Sequence, residues 1–137
     1  MSFNKPYLFM KTNTVIIEHG QGKHLRAKPG ALETVDPDGG KGGFAQWEAD
    51  PSDGGKKVRL KSKKSGKYLR IDASGKNIDI GGGGGKWTVF KVHKDGDGKV
   101  KLESNEHGGK YLAVGKNNVV RTGGGGPFCK LKIFREN

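Results

Sequence analysis

Apolar and polar residues alternate in short runs along the chain, and the runs recur. "VIIEH" from Val15, "VRLKS" from Val58 and "VKLES" from Val100 each open with apolar residues two apart. Later in each stretch come Trp47 and Ala49, Phe90 and Val92, and Leu131 and Ile133, again two apart. Period two marks a strand that buries one face. No stretch has the 3.6-residue period of a helix, so the pattern predicts an all-β chain.

The wording between these runs repeats too. "GKHL" (22–25), "GKYL" (66–69) and "GKYL" (109–112) recur at spacings of 44 and 43 residues. Glycine-rich stretches follow each: "DGGKGG" (38–43), "GGGGG" (81–85) and "GGGG" (123–126). Each unit therefore reads strand, tight hairpin, strand, turn, strand, glycine loop, strand. "ASGKN" (73–77) and "GKNN" (115–118) are rich in residues that tolerate unusual backbone angles. "DPSDGGK" (50–56) and "KDGDGK" (94–99) join one unit to the next.

Three such units cannot each bury an apolar face alone, but closing them into a barrel does so and removes exposed edges. The predicted fold is a single β-trefoil domain over 1–137, with three pseudo-symmetric four-stranded repeats at about 15–55, 56–98 and 99–137. Its body runs from Val15 to Phe134, and the N-terminal segment is expected across or beside the barrel. Leu25, Leu69 and Leu112 are expected at equivalent buried sites, as are Trp47, Phe90 and Leu131. A propeller would have too few blades, and a solenoid would need polar terminal caps.

A strand such as "VRLKS" or "VKLES" followed by "GKYL" resembles the fascin-like and hisactophilin-like β-trefoils. "YLRI" and "GKYLAV" are similar, more distantly, to strands of fibroblast growth factors. The first resemblance implies a non-enzymatic, cytoplasmic protein that binds or crosslinks actin filaments. Two departures stand against it. Hisactophilin-like proteins are crowded with histidine where this chain has 4, and fascins carry several trefoils per chain where this one has a single set of repeats.

Charge sharpens the choice of partner. The 137-residue chain carries a net +12, which favours an acidic protein surface such as an actin filament, sulfated glycans or anionic lipid headgroups. The stretch "KKVRLKSKKSGKYLR" (56–70) holds eight Lys or Arg and no acid. Period two turns Lys57, Arg59 and Lys61 outward, with Lys63, Lys64, Lys67 and Arg70 on the hairpin beyond. These seven form the candidate site for an anionic partner, to be weighed against a merely solvated strand face. Residues 33–53 hold six acids and one lysine, so the charge is segregated along the chain. That suits a monomer or weak head-to-tail self-association.

The glycine loops are the second candidate. Gly40, Gly42 and Gly43, Gly82, Gly83 and Gly84, and Gly124, Gly125 and Gly126 would let an anion or a sugar ring approach the main chain. The competing reading is that corners between cap and barrel simply need glycine. A lectin using these loops is thus the alternative to a filament or lipid binder.

Other chemistry is thin. "GGGGGK" approaches a phosphate loop, but no Ser or Thr follows and no helix begins. Gln46 and Trp47 are similar to the Q-x-W signature of ricin-type sugar-binding trefoils, but the spacing differs and the dipeptide occurs once. "DGDGK" (95–99) places Lys99 where a calcium ligand should stand, so it reads as a turn. His19, His24, His93 and His107 show no metal spacing. His24 holds the repeat position of Tyr68 and Tyr111. Cys129, the lone cysteine, aligns with Ala45 and Thr88 on the inward side, so it forms no internal disulfide and fits a reducing compartment. The Tyr7–Met10 apolar run is too short for a membrane span or signal core. No paired carboxylates or nucleophile motif stand out, so no enzyme, metal or cofactor is expected.

Overall fold

The computed structural model describes residues 12–135, and the predicted course of the N-terminal segment lies outside them. The chain forms twelve strands: β1 (Asn13–Glu18), β2 (His24–Lys28), β3 (Ala31–Gly39), β4 (Trp47–Ser52), β5 (Lys57–Ser62), β6 (Tyr68–Ile71), β7 (Ile78–Gly82), β8 (Phe90–Lys94), β9 (Val100–Ser104), β10 (Tyr111–Val114), β11 (Val120–Gly123) and β12 (Lys132–Arg135). Among the described residues the only helical pieces are single 3-10 turns, so the all-β expectation holds.

Six strands make the barrel. β1 pairs with β12 and β4, β4 with β5, β5 with β8, and β8 with β9, all antiparallel. A bridge between Val100 and Leu131 closes the ring from β9 to the start of β12. The other six strands are the hairpins β2–β3, β6–β7 and β10–β11, which meet one another through β3, β7 and β11 at one end of the barrel. This is a β-trefoil.

The strand-and-hairpin wording works as a folding device. Each barrel strand hands over to its hairpin through one cross-strand pair: Glu18 with His24, Lys61 with Tyr68, Glu103 with Tyr111. The residue ending each "V-x-x-x-[HS]" run is buried and satisfies the turn that follows. Ser62 Oγ accepts from the Ser65 amide at 3.1 Å and Ser104 Oγ from the His107 amide at 2.9 Å. In the first repeat His19 Nδ1 accepts from the Gln21 amide at 3.2 Å. A side-chain acceptor at this place relieves a buried donor that the turn leaves unpaired.

The core is built in threefold layers. Leu25, Leu69 and Leu112 are fully buried, as are Trp47, Phe90 and Leu131. Trp47 donates its indole N–H to the Leu25 carbonyl at 3.1 Å, which ties the barrel layer to the cap layer. Size is balanced along each strand: Trp47 precedes Ala49, Phe90 precedes Val92, and Leu131 precedes Ile133. The largest residue is followed by the smallest, as close packing at nearly fixed volume requires.

Candidate functional site

The basic strand sits beside acid. β5 pairs with β4, which comes from the acidic stretch, so Asp50 faces Arg59 and Glu48 faces Lys61. Lys61 Nζ lies 3.7 Å from Glu48 Oε1, Lys67 is paired with Glu33, and Arg70 Nε donates to Asp79 Oδ1 at 2.7 Å. Lys57, Arg59 and Lys61 are half-buried, while Lys63, Lys64 and Lys67 are exposed. Lys63 donates to Thr14 Oγ1 at 3.2 Å, and Lys64 Nζ stands 4.8 Å from the Phe44 ring centre. The charge segregation expected from the linear sequence therefore does not persist in space. An antiparallel pair lays one segment of the chain against the other, and acids distant in sequence become neighbours.

The glycine loops divide into two kinds. Gly39, Gly82 and Gly123 end the second hairpin strand of each repeat and leave no room for a side chain. A Cβ on Gly82 would lie 2.3 Å from Thr88 Cγ2, one on Gly39 2.8 Å from the His24 carbonyl, and one on Gly123 2.9 Å from both Ala113 Cβ and Cys129 Sγ. Gly84 and Gly125 have φ of +96° and pack against the rings of Tyr68 and Tyr111. These positions serve the fold. Gly40, Gly42, Gly83, Gly85, Gly124 and Gly126 instead have nothing within 4 Å of a would-be side chain, so their backbone borders open space. Gly43 approaches only the Lys64 side chain.

After each open glycine the chain makes a 3-10 turn: Gly43–Ala45, Lys86–Thr88 and Pro127–Cys129. The turn closes in the same way each time. The amides of Ala45, Thr88 and Cys129 donate to the carbonyls of Gly42, Gly85 and Gly126 at 2.9, 3.1 and 3.0 Å. The third residue of each turn is buried, which matches the alignment of Ala45, Thr88 and Cys129. The middle residue is aromatic in all three and stays at least partly exposed: Phe44, Trp87 and Phe128. The sequence holds this signal, since each aromatic stands three residues before Trp47, Phe90 or Leu131. The regular alternation of the core residues draws attention away from it.

Around these aromatics lie the hairpin side chains. In the first repeat Arg26 Nε donates to Asp36 Oδ1 at 2.8 Å across β2 and β3. In the second, Arg70 donates to both oxygens of Asp79, at 2.7 and 3.3 Å, across β6 and β7. In both pairs the hydrogen bond to the carboxylate holds the guanidinium above its ordinary pKa, with burial opposing. Arg70, Gly82, Gly83, Gly85, Trp87 and Thr88 line a cleft of about 300 Å³. Gly115, Lys116, Asn117, Val119, Arg121 and Phe128 line a cleft of about 420 Å³ in the third repeat. Trp87 stacks on His107 at 5.1 Å between ring centres, and Lys86 Nζ is 4.8 Å from the Trp87 ring centre. Both cleft volumes fall in the range used for small ligands.

The ricin-type β-trefoil lectin domain-like family matches residues 44–124, more than half of the chain. The chain belongs to that family. Among solved structures it is similar to the GlcNAcα1-4Gal-releasing endo-β-galactosidase from Clostridium perfringens, with a TM-score of 0.78 and 16% identity over 91% of this chain and 33% of that one. The chain thus spans a third of that enzyme's length. It is also similar to ThreeFoil, a designed threefold symmetric protein, with a TM-score of 0.69 and 20% identity over 88% of this chain and 96% of that one. At these identities the likeness shows the fold alone. Comparison with curated proteins gives no match.

Some sequence features play structural parts. Gln46 donates to the Lys41 carbonyl at 3.2 Å, and Trp47 is in the core. Asp95 of "DGDGK" is paired with Lys101 and Lys130 at 3.8 and 3.6 Å. Cys129 is a buried free thiol. His24 is buried and its Nδ1 lies 3.2 Å from the Gly39 carbonyl. Among the described residues no helix is long and apolar enough to cross a membrane.

Proposed function

We propose that this protein is a non-enzymatic carbohydrate-binding domain whose sugars dock at the cap clefts formed by the glycine loops. The observation that carries this reading is an aromatic on a 3-10 turn after open glycines in every repeat, with a cleft shared by that aromatic and hairpin polar groups in the second and third. A pyranose has an apolar face and a rim of hydroxyls. Phe128 offers an open apolar ring and Trp87 the part of its indole that lines the second cleft, the bare glycine backbone there lets a ring come close, and Arg70 supplies a donor to hydroxyls. Membership of the ricin-type lectin-like family supports the same ligand class.

The filament reading draws no support from the comparisons. The fascin-like wording lies in the barrel strands and their turns, where it positions the fold, so it does not select a ligand. The basic strand is partly neutralised by its neighbours on β4, which weakens the charge argument for actin or lipid.

The test is a titration with neutral galactosides and N-acetylhexosamines beside filament co-sedimentation, each across a salt series. Neutral sugar binding should be insensitive to salt, because no ion pair forms. Trp87→Ala should weaken binding in the second cleft by up to about tenfold, the scale of one aromatic contact, with the unfolding midpoint little changed. Salt-sensitive pelleting with filaments and no response to any sugar would defeat the lectin reading.

A further inference from the structure

The cleft of the third repeat departs in its charge from that of the second. In the first and second repeats one pair of cross-strand positions carries an arginine and an aspartate: Arg26 with Asp36, Arg70 with Asp79. In the third repeat the ladder lacks the register shift that precedes those pairs, and Ala113, which matches Arg26 and Arg70, pairs with Arg121. The arginine has moved to the other strand and the carboxylate is gone. Arg121 is exposed, and no carboxylate pairs with it among the described residues.

The surroundings hold this guanidinium in the cleft. It lies over Gly115, where a Cβ would come within 2.7 Å of Arg121 Nε. The turn from Gly115 to Val119 is closed by two backbone bonds, Gly115 to the Val119 carbonyl and Asn118 to the Gly115 carbonyl, both 2.9 Å. Lys116 and Asn117 are thereby set in the cleft wall. Val119 and Phe128 are 53% and 42% exposed, two of the three large apolar side chains so open among the described residues. Unlike Trp87 and Phe44, Phe128 has no cation or ring stacked on it among the described residues. The lining thus has two cations, one amide, two apolar surfaces and no acid. Asp38, which accepts from Asn118 at 2.8 Å, is not part of it.

We propose that this cleft selects a sugar bearing a carboxylate, such as a sialic or uronic acid residue, with Arg121 on the carboxylate and Phe128 and Val119 under the ring. The proposal rests on the glycan-binding reading and deepens it. A free guanidinium fork matches the two oxygens of a carboxylate, and Lys116 adds an attractive field. A neutral sugar gives Arg121 little beyond what water gives. In the second cleft the fork is already occupied by Asp79, and that carboxylate would repel an acidic sugar. One fold would then present two kinds of site.

The experiment is amide NMR on the whole chain, titrated in parallel with N-acetylneuraminic acid, glucuronic acid, galactose, galactose 6-sulfate and sodium sulfate. The sugar acids should shift the amides around 115–121 and 128, and galactose should not. Arg121→Gln should weaken the acids by about tenfold or more, the worth of a charge-assisted hydrogen bond, with an unchanged unfolding midpoint. The double variant Ala113→Arg, Arg121→Asp sets an arginine and an aspartate across β10 and β11 and should abolish acid binding in the third cleft. The proposal is overturned if galactose binds this cleft as tightly as the acids, or if acid binding survives Arg121→Gln. It is equally overturned if galactose 6-sulfate or inorganic sulfate binds as well as the sugar acids. Neutral sugars at Trp87 with no acid at Arg121 would sink this inference alone. If no sugar perturbs any cleft, the glycan reading falls with it.

Discussion

The second and third caps are built on one backbone plan and present opposite chemistry. In the second, Asp72 opens the hairpin turn, Arg70 and Asp79 neutralise each other, and Trp87 is stacked on His107. In the third, Gly115 replaces the turn aspartate, and among the described residues no carboxylate pairs with Arg121 and no ring or cation stacks on Phe128. The turns are closed alike: Asp72 donates to the Asn77 carbonyl and Gly115 to the Val119 carbonyl, each at 2.9 Å. The fold therefore fixes where the cleft wall goes and leaves its charge free to change. Selectivity can diverge between repeats while the layers below stay equivalent.

That separation predicts equal damage from equal core changes. Leu69 and Leu112 are both fully buried at matching places. Truncating either to alanine should cost about 2–5 kcal/mol, read as a drop in the urea midpoint. If Leu112→Ala were nearly silent while Leu69→Ala was severe, the two caps would not share one packing scheme.

The glycine runs provide the next contrast, within a single loop. Gly82→Ala forces a methyl into Thr88 and should cost about 1–3 kcal/mol, the range for overpacking. Gly83→Ala, one residue on, meets open space and should stay within about 0.5 kcal/mol, as exposed substitutions do. The same pair in the third repeat, Gly123→Ala and Gly124→Ala, should repeat the contrast. Thermal unfolding of the four variants checks it. Equal losses at Gly82 and Gly83 would mean that the whole run is structural and that no open backbone is held for a ligand.

Much of the fold was legible because its signals are local. Strand alternation, the "GK-[HY]-L" hairpins and the recurrent glycines each fall within a few residues, and three copies make the register plain. The buried leucines and the Trp47, Phe90 and Leu131 layer follow directly from aligning those copies. The site was less legible because its parts are brought together by pairing. Lys61 reads as unopposed until β4 lays Glu48 beside it. Arg70 reads as an anion-binding residue until β7 brings Asp79 within 2.7 Å. The aromatic set of Phe44, Trp87 and Phe128 was readable by alignment, yet the alternating core positions mask it. Five glycines in a row look alike as letters, and only their neighbours tell the packed Gly82 from the open Gly83.

The smallest expected effect concerns the place where each barrel strand meets its hairpin. There the second repeat has Lys61 against Tyr68 and the third has Glu103 against Tyr111. Glu103 accepts from the Gly109 amide at 2.7 Å and lies 2.7 Å from His93 Nε2. The Gly109 hydrogen bond, helped by His93 and opposed by burial, holds the Glu103 carboxyl below its ordinary pKa of 4.5. A carboxyl whose folded pKa is depressed stabilises the native state above its unfolded pKa. That contribution fades as pH falls through the folded value, because the unfolded chain takes up its proton first. Glu103→Gln should therefore lower stability modestly at neutral pH and converge with the parent in acid. Lys61→Gln removes only a half-exposed ion pair, with Lys61 Nζ 3.7 Å from Glu48 Oε1, and should move the neutral-pH midpoint less than Glu103→Gln. Urea midpoints measured from neutral pH down past 4 compare the two directly. Parallel curves for the parent and Glu103→Gln would show that the Gly109 contact contributes nothing to folding, and that the third repeat differs from the second only at its cleft.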